Sequence, residues 1–164
     1  MSNYDTATNL VKQFEGCRLT AYQDQVGVWT CGYGSTGVDI GPNTVFTQQE
    51  AEDRLNTRIT SLGSQIQAEV TQNLSDGQLA ALISFAYNLG LGALKGSTLL
   101  KVINGTVAGD VKTEFLKWDH AGGAVVQGLL NRRTKEYQVY AGSSDQLPDG
   151  PSVADINNDL GSVE

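Results

Sequence analysis

Apolar positions recur every three to four residues over most of this 164-residue chain, which predicts a mainly helical fold. The first helix is expected over residues 3–14. Leu10, Val11 and Phe14 fall on one face, Asn3 or Asp5 stands where a cap belongs, and Gly16 stops it. Glu15 then sits at the helix's C-terminal end, where the macrodipole disfavours a carboxylate. From residue 19 the period changes to two, and residues 19–34 read as short strands around a turn at Gln25, Val26 and Gly27. Thr30, Gly32 and Gly34 alternate with Trp29, Cys31 and Tyr33. A face of Thr and Gly either admits a bulky ligand or makes a tight ribbon. Turns at Gly37 and Gly41-Pro42 complete a small β lobe over about residues 17–46.

Helix signals dominate afterwards. Thr47 and Glu50 form a capping box opening a helix to about residue 60 that continues toward 72, and Ser75 with Gln78 forms a second. Residues 79–90, LAALISFAYNLG, are apolar nearly all round, as a helix central to the fold would be. Shorter helices are expected from Ser97 to Ile103 and from Asp110 to Trp118, and a last one from Gly128 to Tyr140. Residues 143–164 lack an apolar face and read as a disordered acidic tail after a domain spanning 1–142. The expected class is α+β: an early β lobe, a larger helical lobe, a long helix bridging them, and a groove between that suits an extended polymer.

Charge sharpens the picture. The net charge is −7, and the last twenty residues alone hold five acids and no base. Residues 1–76 carry 9 acids and 4 bases, whereas 77–144 carry 4 acids and 7 bases. A nucleic-acid binder would show a basic domain, so none is expected as a partner. No apolar run is long enough to span a membrane. The N-terminus lacks the basic start and apolar stretch of a signal peptide, so synthesis in a cytoplasm is expected. Cys17 and Cys31 lack a metal spacing and read as small core hydrophobes with free thiols, a mutual disulfide being the alternative.

The chemistry concentrates in residues 14–35, FEGCRLTAYQDQVGVWTCGYGS. Glu15, Asp24 and Thr30 place two carboxyls and a hydroxyl on one turn-and-strand unit. Glycoside hydrolysis needs a protonated acid at the leaving oxygen and a second carboxylate across the sugar, about 6.5–9.5 Å away when a water stands between them. Exposed acids usually only solvate, so this spacing alone is a weak signal.

The ordered set of Glu-Gly, Ala-Tyr-x-Asp, Gly-x-x-Thr and Gly-x-Gly is far more specific. EGCRLTAYQDQVGVWTCGYGSTG resembles the phage-type lysozymes, the endolysins of glycoside hydrolase family 24. ALISFAYNLGLGALKGSTLLKVIN (81–104) and FLKWDHAGGAVVQGLLNRRTKEYQVY (115–140) resemble that family's central helix and its Trp…Ala-Gly-Gly…Gly-Leu-x-x-Arg-Arg-x-x-Glu segment. The resemblance covers most of residues 1–142 and implies a lysozyme-like fold. It also implies cleavage of the β-1,4 bond between N-acetylmuramic acid and N-acetylglucosamine in peptidoglycan, without metal or cofactor. Glu15 matches the general acid, Asp24 the base that activates water, and Thr30 the hydroxyl that places that water. The setting implied is host lysis by a monomer, held in the host cytoplasm until a holin gives access to the wall.

Ser35 stands where many relatives carry His, which puts loop stability and pH response in question. Gly32, Gly34 and Asn88 are the substrate-binding candidates. Tyr22 and Trp29 flank the site, with Trp29 and Trp118 expected in the core. His120 reads as a surface residue. Arg132 and Arg133 are expected to reach Glu15 or the polymer, with at least one a helix-surface charge. A lytic transglycosylase, which needs no Asp24 or Thr30, is the alternative enzyme. A cell-wall binding module without turnover is the alternative outside enzymes.

Overall fold

A computed structural model of the chain describes residues 4–142. The expected tail, and Asn3 as a cap, lie outside the described residues. Helix α1 (Asp5–Glu15) buries Ala7, Leu10, Val11 and Phe14, a stripe spaced three and four apart. Its N-cap is Tyr4, which makes no side-chain cap bond, and Asp5 lies inside the first turn. There a carboxylate favours the helix through the dipole instead of capping it. Gly16 ends the helix at φ 63°, a conformation a side chain would resist.

Strands β1 (Arg18–Gln23) and β2 (Trp29–Gly32) pair antiparallel, with Tyr22 opposite Thr30 and Gln23 opposite Trp29. Isolated bridges from Thr20 to Val45 and from Cys31 to Ser35 tie the following loop to this hairpin. The expected one-sided alternation along β2 does not hold, because Thr30, Cys31 and Gly32 are all buried in succession. The strand is covered on both faces. Trp29 is half-buried and outside the core clusters, contrary to its expected place.

Helix α2 (Gln48–Glu69) opens on the Thr47–Glu50 capping box and runs unbroken past residue 60. Its buried residues Ala51, Leu55, Ile59, Leu62 and Ile66 face β2 at one end and the helical lobe at the other. Helix α3 (Asp76–Leu89) opens on the Ser75–Gln78 box and buries every residue from Leu79 to Tyr87, so it forms the centre of the core. Helices α4 (Leu91–Lys95), α5 (Thr98–Ile103) and α6 (Val111–Leu116) follow. The small hairpin of β3 (His120–Ala121) and β4 (Ala124–Val125) leads to α7 (Gln127–Tyr140). No period in the sequence marks α4 or this hairpin, because five-residue and two-residue elements are too short to show one. Phe85 of α3 meets Phe115 edge-on at 6.0 Å and the half-buried Trp118 at 5.4 Å, locking α6 to the central helix.

The lobes are also joined by charge. Lys12 of α1 stands 2.7 Å from Glu52 of α2, which also accepts hydrogen bonds from Tyr33 and Gln48. Lys12 first, then Gln48 and Tyr33, outweigh a modest desolvation and hold the Glu52 carboxyl below the usual range. Cys31 is buried, but Cys17 is exposed beside Gln48 and is not a core hydrophobe; both thiols are free. No helix of the described residues is long and apolar enough to cross a membrane.

Candidate active site

Glu15 is the last residue of α1 and keeps a fifth of its side chain exposed. Arg132 of α7 donates through Nη1 to Glu15 Oε1 at 2.7 Å. The rest of that guanidinium is buried: Nη2 donates to the Ser84 carbonyl at 3.1 Å, and Nε lies 3.3 Å from both the Ser84 hydroxyl and Glu136 Oε2. Glu136 is fully buried, accepts the Ser84 hydroxyl at 2.5 Å, and stands 2.8 Å from Arg133 Nε. Arg133 Nη2 then donates to Asn88 Oδ1 at 2.7 Å. Two guanidiniums thus face two carboxylates in one connected network, which keeps buried charge compensated. Neither arginine is a helix-surface charge, so that expectation is corrected. α7 packs directly on α3, and both side chains extend into the join.

Burial alone would lower the Arg132 pKa, but the Glu15 and Glu136 carboxylates outweigh it and hold it above its ordinary value. Burial pulls Arg133 down to about 10, with Glu136 opposing the fall. Both remain charged at neutral pH.

Asp24 begins the β1–β2 turn. Its Oδ1 accepts from the backbone N–H groups of Val26 at 3.0 Å and Val28 at 2.8 Å. The carboxyl is therefore oriented through one oxygen, leaving the other for further contacts. Thr30 is buried and donates its hydroxyl to the Val28 carbonyl at 3.0 Å, which leaves its lone pairs to accept from a water. Tyr22, opposite Thr30 in the register, lies under the Arg18 guanidinium at 4.0 Å. Burial pushes the Tyr22 phenol up, and the carboxylates of Glu15 and Asp24 both push the same way. Tyr22 thus stands within electrostatic reach of the two acids.

The glycines separate. A side chain at Gly34, where φ is 78°, would bring its Cβ to 3.0 Å from Glu15 Oε2, so glycine keeps that side of the carboxyl clear. Gly34 also lines an open cleft of about 600 Å³ together with Tyr87 and one face of α2. Gly32 is different: a Cβ there would lie 3.2 Å from the Phe46 ring and 3.3 Å from Ala51. Its missing side chain lets β2 lie against α2. Asn88 is a partner of Arg133, as above. Ser35 is buried and bridges Cys31 through backbone bonds in both directions at 2.9 Å. Tyr87 secures the same loop by donating its hydroxyl to the Tyr33 carbonyl. His120 is exposed and pairs with Asp119. Among the described residues no group of three or more His, Cys, Asp or Glu could hold a metal ion.

The Phage lysozyme family profile matches residues 12–136, from just before Glu15 to Glu136. The chain belongs to the phage lysozyme family. Among curated relatives, the endolysin of Bacillus phage PZA is 36% identical over 151 residues, covering 90% of this chain and 58% of that protein. The endolysin of Bacillus phage B103 is 39% identical over 134 residues, covering 80% and 51%. The chain thus spans only a little over half the length of these relatives. The solved endolysin from Escherichia coli O157:H7 phage FAHEc1 superposes with a TM-score of 0.78 at 26% identity, covering 90% of this chain and 98% of that one. The fold is lysozyme-like.

Ser84, Glu136 and Tyr87 were not singled out as site residues. Glu136 had a readable signal, standing three and four residues after two arginines on one helix. Ser84 also had one, as a hydroxyl inside an otherwise apolar helix. Tyr87 had none, because its role depends on where the 33–35 loop returns.

Proposed function

We propose that this protein is an endolysin that hydrolyses the β-1,4 bond between N-acetylmuramic acid and N-acetylglucosamine in bacterial peptidoglycan. Glu15 acts as general acid at the leaving oxygen. Asp24 takes a proton from the attacking water through the oxygen its turn leaves unused, and Thr30 accepts a hydrogen bond from that water. The observation that carries the reading is the carboxyl of Glu15: one oxygen is tied to a buried guanidinium, and the other lies on the side that Gly34 leaves without a side chain. Orientation of that kind is what a positioned acid requires. Gly34 borders the substrate; Gly32 and Asn88 support it from behind, as strand packing and as the end of the arginine network. The enzyme acts as a monomer, accumulates in the host cytoplasm, and reaches the wall when a holin opens the membrane.

The test is digestion of purified peptidoglycan by wild type and Glu15→Gln, with mass spectrometry of the released muropeptides. Reducing sugars from the wild type and a loss of about 10²–10⁴-fold in the variant are expected. Anhydro sugars would replace this reading with transglycosylation. Equal activity of the two proteins would remove Glu15 from the chemistry.

A further inference from the structure

The cleft beside Gly34 carries a second recognition element. Its far wall is one stripe of α2, with Thr57, Ser61 and Gln65 spaced four apart, and its near wall is the loop at Ser35 and Thr36. These are hydroxyls and an amide, and no Asp or Glu lines the cleft. Two arginines do. Arg54 is already committed, gripping both oxygens of Asp39 at 2.8 and 2.9 Å. Arg58 is not: among the described residues it pairs with no carboxylate, and its guanidinium lies over the Tyr87 ring at 5.2 Å. A guanidinium held over a ring by cation–π attraction keeps its N–H groups available to an acceptor. An uncommitted planar cation among hydroxyl donors, in a cleft with no acid, matches a carboxylate.

We propose that this cleft binds a carboxylate of the short peptides borne by the muramic acid units, with Arg58 as its anchor. The inference rests on the muramidase reading and adds a substrate feature to it. Gly34 and Tyr87 belong both to this cleft and to the surroundings of Glu15, so a glycan strand lying across Glu15 brings its lactyl-linked peptides along the α2 face. The recognition is electrostatic and solvent-accessible, so it contributes modestly and acts on KM.

The experiment measures initial rates on peptidoglycan with its peptide carboxylates free and on the same material with those carboxylates converted to amides, for wild type, Arg58→Gln and Arg58→Lys. Arg58→Gln is expected to raise the ratio of KM on the free-acid to KM on the amidated material roughly two- to fivefold, the range for one exposed charge pair. kcat should change little, and Arg58→Lys should restore part of the ratio. Taking a ratio removes any general loss from disturbing Tyr87. An unchanged ratio, whatever the absolute rates, overturns the peptide-carboxylate site and leaves the muramidase reading standing. A wild type that cuts neither substrate overturns both.

Discussion

Replacing Glu136 by Gln keeps the side chain's shape and removes one charge from the buried network. In the intact protein Glu136 has no exposed surface and faces Arg133 at 2.8 Å, Arg132 at 3.3 Å and the Ser84 hydroxyl at 2.5 Å. Arg132 would keep Glu15 as a counterion, but Arg133 would retain only neutral oxygens, that of Asn88 and that of the new amide. A buried guanidinium left without its carboxylate costs about 3–5 kcal/mol. That is a large share of the roughly 5–15 kcal/mol by which a domain of this size is stable. The assay is equilibrium urea unfolding, where the midpoint should fall with an unchanged slope. Adding Arg133→Met removes the orphaned cation, so the double variant should be more stable than the sum of the two single losses by about 1 kcal/mol or more. A loss under about 1 kcal/mol for Glu136→Gln, or strict additivity in the double variant, would refute the idea that the network is charge-balanced and coupled.

Two further outcomes follow from the electrostatics. Glu52 has a folded pKa below its unfolded value, so its contribution is fully present above the unfolded value and is lost as pH falls through the folded one. Urea midpoints taken from about pH 6 down to about pH 3 should therefore fall less steeply in Glu52→Gln than in wild type, and parallel slopes would count against the Lys12–Glu52 link. On the proposed peptidoglycan substrate, the chain's net charge of −7 opposes an anionic wall. Lysis rates should rise as salt is added from about 0.01 M, where the Debye length is near 30 Å, and a rate that climbs steadily as salt is removed would contradict this.

The elements long enough to show a period were legible in the sequence. Both capping boxes form as read, because Thr47–Glu50 and Ser75–Gln78 are local chemistry settled within four residues. The all-round apolar character of 79–87 placed α3 at the centre correctly. What failed was non-local. Gly32 reads in the sequence as either a ligand face or a tight ribbon, and the structure packs it against Phe46 and Ala51; one of Arg132 and Arg133 reads as a surface charge, but both are buried where α7 meets α3. Cys17 lies next to apolar sequence yet faces outward, since β1 begins one residue later with exposed positions. The ordered motifs name Glu15, Asp24 and Thr30 together; the structure sets Tyr22 opposite Thr30, and both Glu15 and Asp24 push its phenol pKa up after burial does. The clamp on Glu15 comes from a residue 117 positions away, a separation no local pattern reports.

That separation has a consequence for the order of synthesis. Glu15, Asp24 and Thr30 are all synthesised about a hundred residues before Arg132, whose guanidinium orients Glu15. Until α7 is complete and docked on α3, the acid has no clamp and the buried charges have no complement. A chain that stops short of α7 therefore carries Glu15 without its clamp. Completing α7 is the step that fixes this carboxyl.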